Sequence, residues 1–133
     1  MRHEKNAHNQ EPLLIAGLHP QLLEKPAVWF RQHKKEILRA RLVTPFWQRA
    51  AIAVEVGQRA KLSEFLRSLQ ELGYARVQTV MHPGEYAQQG GEVQVYPINE
   101  TAPSRIEFLG NTIEAIEYIR PREETQEISP LQK

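Results

Sequence analysis

Between Arg59 and Tyr74 the segment RAKLSEFLRSLQELGY places Leu62, Phe65, Leu66, Leu69 and Leu72 on one helical stripe, with Lys61, Glu64, Arg67 and Glu71 opposite. That spacing predicts an amphipathic helix with one face in a core. Gly73 follows where a left-handed C-terminal cap belongs, and Tyr74 is placed to fold back on the last turn. After Tyr74 the period changes to two. ARVQTVM, EVQVYP, SRIEFLG and TIEAIEYI are strand-length runs separated by HPGEYAQQGG, INETAP and GN. The Gly110–Asn111 pair is a hairpin signal, because tight primed turns need positive φ. Pro83–Gly84 predicts a turn, EYAQQ a short arm, and Gly90–Gly91 a sharp reversal into EVQVYP. Alternation sends Val77, Val93, Val95, Ile106 and Phe108 to one side of the sheet. Arg76, Gln78, Glu92, Gln94, Arg105 and Glu107 fall on the other.

Upstream of these elements the pattern is less regular. PLLIAGLHP, between Pro12 and Pro20, predicts a strand or an extended arm. Pro26 suits the first turn of a helix spanning 26–42, whose apolar positions Phe30, Ile37, Leu38 and Leu42 recur near a helical period, and Pro45 is expected to end it. Ala50 to Gly57 reads as a strand. The sum is an α+β fold: an antiparallel β-sheet of about four to five strands with helices packed on one face. The expected division is a disordered leader at 1–12, a helical and extended region at 13–49, an α+β domain at 50–119 and a polar tail at 120–133.

Composition narrows the chemistry. The 133 residues contain no cysteine, which removes disulfides, thiolate nucleophiles and the commonest structural zinc sites. Every acidic residue is Glu. No phosphate-binding loop of the G-x-x-x-x-G-K-[ST] or G-x-G-x-x-G type occurs. His3, His8, His19, His33 and His82 are scattered, without a carboxylate pair at acid–base spacing, so no enzymatic activity and no cofactor are expected. No apolar run approaches the roughly 20 residues of a membrane span, and the polar first residues lack the apolar core of an export signal. The expectation is a cytoplasmic protein without a membrane partner or a small-molecule substrate.

The segment LGYARVQTVMHPGEYAQQGGEVQVYPINETAPSRIEFLGNTIEAI, Leu72 to Ile116, resembles a stretch of bacterial transcription-repair coupling factors. There the pattern runs GY-x-R-V, PGEFAVRGG, a strand ending in Pro, then RIEFFG-[DN]-x-IE-x-I. The excision-repair subunit UvrB has a related segment with F-x-V-R-G-D. The likeness covers about half the chain, from the strand before Gly57 to about Ile119. It implies a non-catalytic module of nucleotide excision repair that docks onto the damage-recognition ATPase UvrA. Carried over by position, the partner-facing residues are Arg76, Gln89, Arg105 and Glu107. At Gln89 the family has arginine. The substitution keeps one hydrogen-bond donor and loses the charge and the planar fork that grips a carboxylate in two places.

Charge leaves a second reading open. Residues 1–60 carry ten Lys and Arg against five Glu, whereas 61–133 carry seven against eleven. Arg31, Lys34, Lys35, Arg39 and Arg41 on the expected 26–42 helix, with Trp29 and Phe30 nearby, are the residues that would neutralise phosphates and stack a base. The alternative function is therefore a nucleic-acid-binding accessory domain, with DNA as partner.

Overall fold

The apolar run Leu13–Ala16 forms strand β1, which pairs antiparallel with β2 (Ala51–Val54) in the register Leu13 to Val54 and Ala16 to Ala51. In this computed structural model, which describes residues 11–119, every side chain of β1 is buried. A strand covered on both faces needs no alternation, which is why LLIA is apolar throughout. Leu13 and Ile15 enter one core cluster, and Leu14 and Ala16 enter a second.

Three helices close the second cluster: α1 (Pro20–Leu23), α2 (Ala27–Ala40) and α3 (Pro45–Ala50) contribute Leu22, Phe30, Ile37 and Ala50, with Trp29, Leu38, Phe46 and Trp47 packed against them. Pro45 does follow the end of α2, but it also starts α3 after Thr44, since proline suits a first helical position. The expected reach of α2 to Leu42 is shortened to Ala40. Leu42 lies past the cap and is 74% exposed instead of joining the apolar stripe.

The first cluster lies between the ribbon, α4 (Leu62–Glu71) and a five-stranded sheet. Phe65, Leu69 and Leu72 pack onto Tyr86, Val93, Val95, Ile106, Phe108 and Ile113. The end of α4 is as expected from sequence: Gly73 takes φ +95°, its N–H bonds to the Gln70 carbonyl, and the Tyr74 N–H reaches back to Leu69 at 3.0 Å.

The sheet runs in the order β3 (Ala75–Arg76), β4 (Glu85–Gln89), β5 (Glu92–Tyr96), β6 (Ser104–Leu109) and β7 (Thr112–Tyr118). Two expectations are corrected here. The run ARVQTVM pairs only at Ala75 and Arg76, and EYAQQ, expected as an arm, is a full strand. The Glu85 carboxylate accepts the N–H groups of Met81 and His82 at 2.8 and 2.9 Å, which holds the chain in a turn where a longer strand was expected. The β3–β4 pair is also parallel, because the intervening loop turns twice, whereas the remaining neighbours are antiparallel.

Candidate docking face

The face of the sheet turned away from α4 is built by cross-strand register. Ala87, Gln94, Arg105 and Glu117 form one row, and Gln89, Glu92, Glu107 and Ala115 the next. Two carboxylates, Glu92 and Glu107, therefore stand directly opposite each other, an arrangement that is unfavourable by itself. Arg105 relieves it: Nε donates to Glu92 Oε2 at 3.1 Å and Nη1 to Glu117 Oε1 at 3.0 Å. The Gln94 amide also reaches Glu92, at 3.4 Å. Arg105 and Glu107 thus lie together on the open face, as alternation predicts.

Glu117 was not singled out from sequence, and the reason is a β-bulge. The pairing slips between Glu107 and Phe108, so Ile113 and Ile116 both face the core although they are three residues apart. Straight alternation from Ile113 would put Glu117 in the core. The odd spacing of the two isoleucines is the signal that places it outside.

Gln89 is exposed beside Glu92 at the end of the β4–β5 hairpin. Its turn uses both glycines for different reasons. Gly90 has φ +60°, and at Gly91 a Cβ would come within 2.7 Å of the Phe108 carbonyl oxygen. The hairpin can therefore close tightly against β6.

Arg76 is a correction. Parallel pairing aligns it with Tyr86, and its Nη2 donates to the Gln88 side chain at 2.9 Å, on the same side of β4 as Tyr86. It is exposed at the sheet edge but does not share the face of Arg105 and Glu107. The phase of β3 is inverted relative to expectation, so Val77 follows toward the open side. A groove of about 550 Å³ results, lined by Arg76 to Thr79 on one wall and by Ala87, Gln88, Gln89, Glu92 and Gln94 on the other.

The basic residues of α2 are not gathered into one patch. Arg41 turns inward, donating from Nε to the Ala51 carbonyl at 2.9 Å, and burial lowers its pKa. Lys34 pairs with Glu11 at 3.4 Å. Trp29 is stacked on His33 at 4.5 Å, Lys25 lies 4.9 Å from its ring centre, and Phe30 is in the core. Arg31, Lys34 and Lys35 border a cleft of about 440 Å³ that also contains Asn99, Glu100 and Tyr118. The Tyr118 hydroxyl donates to Glu100 at 3.0 Å. Burial raises the Glu100 pKa, and burial together with Glu100 pushes Tyr118 up to about 12. Arg39 is exposed and does not line this cleft. Among the described residues no helix is long and apolar enough to cross a membrane, and no group of three or more His or Glu side chains is disposed to hold a metal ion.

Residues 52–132, more than half of the chain, match the UvrB interaction domain family. UvrABC system protein B of Thermosynechococcus vestitus is 36% identical over 73 residues, covering 55% of this chain and 11% of that protein. The transcription-repair-coupling factor of Staphylococcus haemolyticus is 36% identical over 76 residues, covering 56% of this chain and 6% of the relative, and that of Bacillus subtilis is 30% identical over 70 residues. The chain therefore spans only a small part of the length of these relatives. The matched residues take in most of β2, α4 and the five-stranded sheet, and the chain belongs to the UvrB interaction domain family.

Proposed function

We propose that the domain is a non-catalytic docking module whose partner is a UvrA-like damage-recognition ATPase, bound through the open sheet face around Arg105, Glu107 and Gln89. The observation that carries this reading is the Arg105 clamp. Both of its ion pairs are partly exposed, and exposed pairs of this kind contribute at most about 1 kcal/mol each to stability. Their effect is to hold three side chains in a fixed pattern on an uncovered surface, and fixed charge patterns set register and reject wrong partners.

Nucleic-acid binding through α2 has weaker support. Arg41 is occupied by a backbone carbonyl, Lys34 by Glu11, and the carboxyl of Glu100 lies in the cleft that Arg31 and Lys35 border.

Calorimetric titration with purified UvrA from the same organism tests the reading. The native domain should bind, and Arg105→Ala should weaken binding at least about tenfold, as for a buried interfacial charge pair that loses one member. The same variant should lower folding stability by no more than about 2 kcal/mol, the upper bound for two exposed pairs. Absence of binding by the native domain, with binding restored in Gln89→Arg, would mean that the surface is retained and the partner has changed.

A further inference from the structure

The outer edge of β4 is only partly covered. β3 pairs with Glu85 and Tyr86 and no further, and the last ladder bond is from the Val77 N–H to the Tyr86 carbonyl at 2.8 Å. Main-chain groups alternate in direction along a strand, so those of Tyr86 point to β3 and those of Ala87 and Gln89 point to β5. The N–H and C=O of Gln88 therefore point outward, beyond the place where β3 has ended. Neither has a backbone partner among the described residues.

This edge lacks the usual protection. Ala87, Gln88 and Gln89 include no proline, lysine or carboxylate, the residues that normally blunt an exposed edge. By contrast the opposite edge strand, β7, carries Glu114 and Glu117, and its start is covered: Ile113 exchanges main-chain bonds with Gly57 and Gln58, and Ala60 bonds to Asn111 just before the strand. The unprotected edge opens onto the groove of about 550 Å³, a volume within the range of binding clefts.

We infer that this edge clasps an extended polypeptide segment of the docking partner, which takes the place vacated by β3 and exchanges main-chain hydrogen bonds with Gln88. The inference rests on the proposed docking function and adds its mode. The side-chain amides of Gln78, Gln89 and Gln94 in the groove wall donate and accept, as suits a backbone, while that of Gln88 is taken by Arg76 and by the Gly90 carbonyl. Arg76 sits over the Gln88 side chain, where a carboxylate on the incoming segment would meet its guanidinium. A phosphate backbone would instead carry a charge at every nucleotide past Glu92 in the groove wall and Glu107 opposite it, whereas a peptide needs only one carboxylate, at Arg76. The occupant is an extended segment with an acidic residue facing Arg76, held by strand addition.

The test compares Gln88→Pro with Gln88→Ala against purified UvrA of the same organism. Both variants lose the side chain, but only proline removes the N–H, and an outward-facing edge position tolerates it. The expected result is that Gln88→Pro binds about five- to tenfold more weakly than Gln88→Ala, as one lost hydrogen bond at an interface predicts. In the native domain, hydrogen exchange at the Gln88 amide should be fast when free and slow in the complex, a measurement that holds even if the proline variant fails to fold. Equal affinities with an unchanged Gln88 amide would overturn the clasp and leave docking intact. An amide already slow in the free domain would show that the chain covers its own edge, and would also overturn it. No binding of UvrA by the native domain would overturn both readings.

Discussion

Tyr86 is fully buried in the centre of the first core cluster, and among the described residues its hydroxyl has no hydrogen-bond partner. A buried, unsatisfied hydroxyl costs about 1–3 kcal/mol relative to a well-packed apolar group. The coupling-factor pattern has phenylalanine at this position, so the ring is what the core requires and the oxygen is an addition. Tyr86→Phe is therefore expected to stabilise the fold by about 1 kcal/mol, read as a higher urea midpoint with an unchanged slope. A lower midpoint would mean that the hydroxyl has a partner. The side-chain scale also shows where sequence reasoning succeeds. Arg105 and Glu107 were legible because β6 alternates without interruption from Ser104 to Phe108. Arg76 was not, since it lies on a strand of two residues whose facing is decided by its parallel partner.

At the scale of elements, strong periodicity and defined caps were readable, and effects imposed by distant residues were not. Helix α4, its glycine cap and the Gly110–Asn111 hairpin all follow from local pattern. The shortness of β3 depends on Glu85 capturing two amides across a turn, and the facing of Glu117 depends on a bulge. The attachment of β1 is another such long-range effect. Its inner edge pairs with β2, and on its outer edge one side chain bridges two residues: Asn99 accepts the Ala16 N–H at 2.9 Å and donates to the Leu14 carbonyl at 2.8 Å. Tyr74 adds a second tie, donating to the Ala16 carbonyl at 2.7 Å while accepting the Ile98 N–H at 3.0 Å. Asn99→Leu keeps the number and branching of side-chain heavy atoms and leaves two buried backbone groups unpaired. The expected loss is about 2–4 kcal/mol, with hydrogen exchange accelerated at Ala16 before the rest of the sheet. A loss below about 0.5 kcal/mol would show that water replaces the amide.

At the scale of the whole molecule, the match to the family begins at residue 52, inside β2, so β1 and α1 to α3 lie outside the matched region and yet supply most of the second cluster. The two parts meet where α2 faces the end of the sheet, at the cleft lined by Arg31, Lys34, Glu100 and Tyr118. Glu100 is half-buried there, hydrogen-bonded by Tyr118 and attracted by Lys34 and Arg31, but burial outweighs these and raises its pKa. An acid whose folded pKa exceeds its unfolded value holds more protons in the fold. Its contribution to stability is therefore greatest below the ordinary carboxylate range and is lost as pH rises through that range to the folded value. Glu85 has the opposite sign: bonds from the Met81 and His82 amides lower its pKa, so its contribution is complete at neutral pH and is lost in acid. Glu100→Gln separates the two, because glutamine keeps an acceptor for the Tyr118 hydroxyl and cannot ionise. Thermal midpoints of variant and native protein should nearly coincide at about pH 4 and diverge in favour of the variant by a few degrees toward about pH 7. A variant that becomes relatively less stable as pH rises would show that attraction to Arg31 and Lys34 outweighs burial, and that the charged carboxylate helps to hold α2 against the sheet.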